Sequence, residues 1–141
     1  MTNTTIIDRS QTPAQLTVPA DYNASLDFID RHLDEGRGGK VAIRDDQGEH
    51  TYAQMAEQVQ RVCNALTTLG VETGDRVLMV MADTVSFAAV FFGAIRMGAL
   101  PVPLNTMLTT KDYDFMVRDS GAAAIVISEM FWKTVEPALK D

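Results

Sequence analysis

The chain has one cysteine, Cys63, so it can form no internal disulfide and no multi-cysteine metal site. A reducing compartment suits such a sequence, and the cytoplasm is the expected location. Histidine is scarce as well: only His32 and His50 occur, and neither has a ligand-spaced histidine, cysteine or carboxylate beside it. Basic residues are in deficit, with 12 Lys and Arg against 19 Asp and Glu and a net charge of −7. Nucleic acid and anionic membranes both require a basic face, so neither is an expected partner. A long hydrophobic run is missing too. The longest charge-free apolar stretch lies between Asp83 and Arg96, short of the roughly 18–20 residues that span a bilayer. The first residues lack a basic head followed by an apolar run, which excludes a secretory signal.

What is present is an alternation of short apolar strands and helices. Residues 1–20 are rich in Thr, Gln and Pro without periodicity and read as a loosely attached arm. From residue 21 onward the pattern is that of a folded unit. Asn23 can cap a helix to about Glu35, with Leu26, Ile29 and Leu33 as its apolar stripe. Lys40–Arg44 and Glu49–Tyr52 flank a turn at Asp45-Asp46-Gln47-Gly48 and read as a hairpin. Thr51 and Gln54 have capping-box spacing at the start of a helix whose inward face carries Met55, Val59, Val62, Leu66 and Leu69, with Gly70 ending it. Arg76–Ala82 is a continuously apolar strand, as expected where both faces are covered. Asp83 or Thr84 caps a helix to about Met97 that is apolar almost all round, and Ala88, Ala89, Gly93 and Ala94 on it permit close approach of a neighbour. Leu100–Leu104 must be extended because Pro101 and Pro103 forbid a helix. A helix from Thr109 or Thr110 to Asp119, a strand at Ala123–Ile127 and a helix at Glu129–Lys140 complete the chain.

Strands separated by helices imply parallel pairing through right-handed crossovers. The predicted fold class is therefore α/β: a partial doubly wound parallel sheet layer with an N-terminal hairpin. The last residues stop within or just after a helix with no closing strand, so 21–141 reads as an incomplete domain, truncated at its C-terminal side.

No constellation of reactive groups stands out, and no catalytic, cofactor-binding or metal-binding residue is assigned. Gly36-Arg37-Gly38-Gly39-Lys40 resembles a phosphate loop, but its first glycine position is Asp34, Val41 replaces the hydroxyl residue, and it leads from helix to strand. It reads as a flexible turn. No GxGxxG turn follows a strand. Cys63 lies on the apolar face of its helix and reads as core. Asp45 and Asp46 read as turn chemistry, and Asp112 and Asp114 as residues favoured at a helix N-terminus.

Three elements in order do resemble a known family: Thr51–Met55 (TYAQM), Leu69–Val77 (LGVETGDRV) and Gly93–Asn105 (GAIRMGALPVPLN). They are similar to the N-terminal part of the adenylate-forming ligases, which include acyl-CoA synthetases, luciferases and peptide-synthetase adenylation domains. Residues 22–43 and 102–117 resemble the benzoate–CoA ligase branch. Other acyl-CoA synthetases often carry Pro-Arg after the asparagine, where the arginine can help hold CoA. Here Thr106 and Met107 stand instead, and Lys111 is the nearby cation. The resemblance implies a ligase of aromatic acid catabolism that uses ATP, CoA and Mg²⁺ to convert a benzoate-like carboxylic acid to its acyl-CoA through an acyl-adenylate. The family's phosphate loop, acid pocket, ribose-binding aspartate and catalytic lysine all follow the segment seen here. Residues 1–141 are therefore expected to be inactive alone and to bind none of these cofactors, lacking their C-terminal remainder and exposing apolar surface prone to self-association. The competing reading is a stand-alone α/β module that binds a small ligand or another protein.

Overall fold

The computed structural model describes residues 4–140. Its centre is a three-stranded parallel sheet in the order β6–β5–β7, made of β5 (Arg76–Val80), β6 (Leu100–Pro103) and β7 (Ala124–Ile127). β5 is the middle strand, which is why it has no polar side. Val77 and Met79 turn toward one layer, where they meet Leu66 and Val62 of α2 (Tyr52–Thr68) and Ala94 and Val90 of α3 (Val85–Arg96). Val80 turns to the other layer and meets Tyr113 of α4 (Thr110–Ser120) together with Val135 and Ala138. Helices thus cover both faces of a parallel sheet, the doubly wound α/β arrangement. The prolines of β6 stand on an edge strand, where a missing N–H interrupts no interior ladder.

The hairpin β3 (Val41–Asp45) and β4 (Gly48–Thr51) precedes this layer and leads into α2. Thr51 caps α2 with a full capping box: its hydroxyl accepts the Gln54 N–H, and Gln54 Oε1 accepts the Thr51 N–H at 2.8 Å. Thr109 and Asp112 form the same device on α4, and Gly121, at φ +55°, ends that helix in the left-handed region. The tightest contact lies between α2 and α3. A Cβ on Gly93 would stand 2.7 Å from Val62 Cγ1 and 3.2 Å from the Val59 carbonyl oxygen. Only glycine lets the two axes come this close.

Five details differ from expectation. The segment containing residues 4–20, read as aperiodic, holds a small antiparallel pair, β1 (Ile6–Asp8) and β2 (Gln15–Thr17); residues 1–3 lie outside the described residues. The first helix starts after Asn23 as expected, with Asn23 Oδ1 accepting the Ser25 N–H at 3.0 Å, but it winds as a π-helix over Leu26–Asp30 before α1 (Arg31–Asp34). The wider turn shifts the side-chain phase, so Ser25, Asp27 and Ile29 are buried whereas Leu26 and Leu33 are exposed. Leu69 also falls outside, as it is the residue at which α2 has already ended. The strand β5 stops at Val80 rather than Ala82. The last segment is a broken helix: a 3-10 turn (Glu129–Phe131), α5 (Trp132–Val135) and a second 3-10 turn (Glu136–Leu139) with Pro137, which has no N–H to donate, near its start.

Replacing Gly93 with Ala should destabilise the chain by about 1–3 kcal/mol, the cost typical of overpacking a filled core. Urea denaturation checks this, and adding Val62→Ala to the variant should recover part of the loss.

Candidate functional site

In open α/β sheets ligands bind beyond the carboxyl ends of the strands, and here that region forms a cleft of about 360 Å³. Its walls are Met81, Ala82 and Asp83 at the end of β5, Phe87 on the first turn of α3, and Pro103 to Thr106 at the end of β6. The β6 side is held rigidly. The Leu104 N–H donates to the Met79 carbonyl at 2.8 Å, extending the sheet, and Asn105 then turns the chain by accepting the Met107 N–H on Oδ1 at 2.9 Å. The buried Tyr113 of α4 donates its hydroxyl to the Asn105 carbonyl at 2.9 Å, and burial pushes its pKa up, so it stays a neutral donor. Met107 projects from this turn almost wholly exposed.

Asp83 is the only charged residue lining the cleft, and no Lys, Arg or His joins it. Stabilising a pentavalent phosphorus requires fixed cations or donors at the reacting oxygens; among the described residues these walls offer the Asn105 amide and Thr106 hydroxyl as polar groups and no cation. The other candidate residues serve structural roles. The carbonyls of Gly38 and Lys40 accept the N–H groups of Ala53 and Tyr52 at 2.9 and 3.0 Å, so the turn at 36–40 caps α2 with its own backbone and leaves no anion site there. His32 stacks on Tyr52 with ring centroids 3.7 Å apart and accepts the Arg37 Nε–H on Nδ1 at 3.0 Å. Burial, reinforced by the Arg37 charge, lowers its pKa. Cys63 is half-buried on α2. Asp112 belongs to the α4 cap and Asp114 pairs with Arg118 at 2.8 Å.

Two residues carry more structure than the sequence suggested. His50, read as having no carboxylate partner, meets Asp45 at 3.0 Å between Nε2 and Oδ1. Ile43 lies opposite His50 and Asp45 opposite Gly48, so the two are diagonal neighbours across the hairpin, a relation legible once register is known. Asp45 also accepts the Val85 N–H on Oδ2 at 3.0 Å and so caps α3 from a distant element; Thr84, in the cap position, makes no such side-chain bond, contrary to the expectation of a cap at Asp83 or Thr84. Asp27 is the second. It accepts the N–H and hydroxyl of Thr5 at 3.1 and 2.8 Å, the Tyr22 hydroxyl at 3.1 Å, and pairs with Arg31 at 3.1 Å. An aspartate set among Leu26, Phe28 and Ile29 is the sequence signal that could have marked it.

Among the described residues no group of three or more His, Cys, Asp or Glu side chains could hold a metal ion, and no metal step is assigned to them. No helix among them is long and apolar enough to cross a membrane.

The described residues thus form a doubly wound α/β layer with a cleft at the carboxyl ends of its strands. The chain belongs to the AMP-binding enzyme family, whose model matches residues 30–141. It is 42% identical to the benzoate–CoA ligase of Thauera aromatica over 135 residues, which is 95% of this chain and 26% of that protein. It is 44% identical over 121 residues to the 4-hydroxybenzoate–CoA/benzoate–CoA ligase of Rhodopseudomonas palustris, 86% of this chain and 22% of that one. A solved benzoate CoA ligase from Burkholderia xenovorans LB400 superposes on 81% of the chain with TM-score 0.76 and 40% identity, covering 24% of that structure. An anthranilate CoA ligase solved with anthranoyl-AMP gives TM-score 0.80 at 31% identity over 85% of the chain and 23% of its own. The chain spans about a quarter of the length of these relatives.

The Asp27 cluster makes an acid-sensitive joint. Burial pulls its pKa up, but the bonds from Thr5, Arg31 and Tyr22 outweigh burial and hold it below the ordinary 3.8. A depressed carboxylate contributes stability above its unfolded pKa and loses it as pH falls through the folded one. The Thr5 amide resonance should therefore hold constant from pH 7 down to about 4 and shift below 3.8, with Asp27→Asn abolishing the step.

Proposed function

We propose that this chain is the N-terminal part of the large domain of an ATP-dependent aromatic acid–CoA ligase that acts on benzoate or a benzoate-like acid. The observation that carries the reading is the 42–44% identity to two benzoate-activating ligases across nearly the whole chain. In the reaction the acid's carboxylate attacks the α-phosphorus of ATP, pyrophosphate leaves, and the CoA sulfur then displaces AMP from the acyl carbon. Mg²⁺ supplies charge neutralisation of the triphosphate when bound.

The role of this chain is scaffolding. Residues 21–141 supply one α/β layer, residues 1–20 are an N-terminal arm, and of these Thr5 is tied to Asp27 of the first helix. The cleft between the ends of β5 and β6 forms part of the path of CoA, bordered by Asn105, Thr106 and Met107. Met107 offers no charge to a CoA phosphate, so the loop contributes shape rather than ionic attraction. The cytoplasm, where ATP and CoA are available, is the setting. Exposed side chains such as Leu69, Phe115 and Met130 are faces that other parts of the enzyme cover, and in isolation they promote self-association.

Two assays test this reading. Purified 1–141 should release no AMP from ATP with benzoate or 4-hydroxybenzoate; clear turnover would overturn the scaffold role. Residues 1–141 substituted for the matching quarter of the Thauera aromatica ligase should restore benzoate-dependent AMP and benzoyl-CoA formation. A folded chimera without either activity would overturn the ligase assignment.

A further inference from the structure

We propose that Asp45, braced by His50, is a positioning residue that sets the wall of the cleft at the ends of β5 and β6. The first turn of any helix leaves N–H groups without intrahelical partners, and α3 has no side-chain cap of its own from Thr84. The Val85 N–H is instead satisfied by Asp45 Oδ2 at 3.0 Å, forty residues earlier in the chain. The second oxygen is committed as well: Asp45 Oδ1 accepts the Gln47 N–H at 3.0 Å and meets His50 Nε2 at 3.0 Å. Because an ionised carboxylate only accepts, His50 must carry a proton on Nε2 to make this bond. The Asp45 side chain is only 4% exposed and that of His50 16%, so water competes weakly for either. The carboxylate cannot rotate without breaking a bond, and its charge sits at the positive end of the α3 dipole.

The capped N–H lies between Asp83 and Phe87, both of which line the cleft. The β3–β4 turn contributes no lining residue, yet through Asp45 it determines where the first turn of α3 stands relative to Leu104 and Asn105. Asp45 therefore acts on the cleft through Val85, not on a ligand directly.

The experiment has two arms. In the 1–141 chain, amide hydrogen exchange is followed at Val85 and Phe87 in Asp45→Ala, Asp45→Asn and His50→Ala. Asp45→Ala should speed exchange at Val85 by about tenfold, the size of a lost helix cap, while Val77 to Val80 of β5 keep their protection. Asp45→Asn and His50→Ala should lie between it and the wild type. Should Asp45→Ala fail to fold, Asp45→Asn decides. Val85 exchange equal to wild type in the folded variants, or an equal loss across β5, would overturn the proposal. The second arm rests on the ligase reading and uses the chimera: Asp45→Ala should raise the KM for CoA severalfold with a smaller change in kcat, and pyrophosphate release with benzoate and ATP should fall less than benzoyl-CoA formation. Both half-reactions falling together would mark a merely structural role and overturn the proposal. An inactive wild-type chimera would count against the ligase reading alone, because the exchange arm tests the positioning without activity.

Discussion

The structure depends on how closely α3 can approach α2. At Gly93 the two helices touch backbone to side chain, with no room for a methyl group between Gly93 and Val62. This contact lets α3 pack on α2 and the sheet and bury Val85, Ala89, Val90 and Ala94. Interiors pack at crystal-like density and tolerate little added volume, so one small residue fixes the spacing of the layer. The central strand then needs no polar face, and the edge strands on either side inherit their register from it.

Polar ties complete what packing begins, and they converge on the same helix. At its N-terminal end α3 is met by Asp45 of the hairpin. At its C-terminal end Asn23 donates Nδ2 to the Ile95 carbonyl at 2.8 Å, and Arg96 pairs with Asp30 at 2.9 Å. Asn23 thus starts its own helix with one amide atom and finishes α3 with the other. An apolar helix offers few side chains that could satisfy its own ends, so the orphan backbone groups are met from elements far away in the chain. The N-terminal hairpin β1–β2 is joined in turn through Thr5 and Asp27.

The functional picture follows from what surrounds the cleft. Its floor and walls are well determined by Asn105, Tyr113 and the capped start of α3, and Asp83 is the charged side chain among the described residues that line it. On the proposed ligase reading this layer acts by holding surfaces in place, and proximity effects make small displacements of such surfaces matter.

Local patterns in the sequence determined the element order from residue 21 onward, the Thr51–Gln54 capping box, the Gly70 and Gly121 helix ends, the extended Pro101–Pro103 segment and the two-sided burial of β5, because each depends on neighbours within a few residues. Three motifs in order along the chain also carried the family. Tertiary structure alone decided which face of the first helix is buried, since a π-turn at Leu26–Asp30 moves the phase in a way that no 3.6-residue count anticipates. It alone gave His50 a carboxylate and α3 its cap, because those bonds join residues brought together by hairpin register and by layer packing across forty residues. Helical periodicity records what one segment does with its own neighbours; it holds no information about which distant carboxylate will reach a helix end once the layers close.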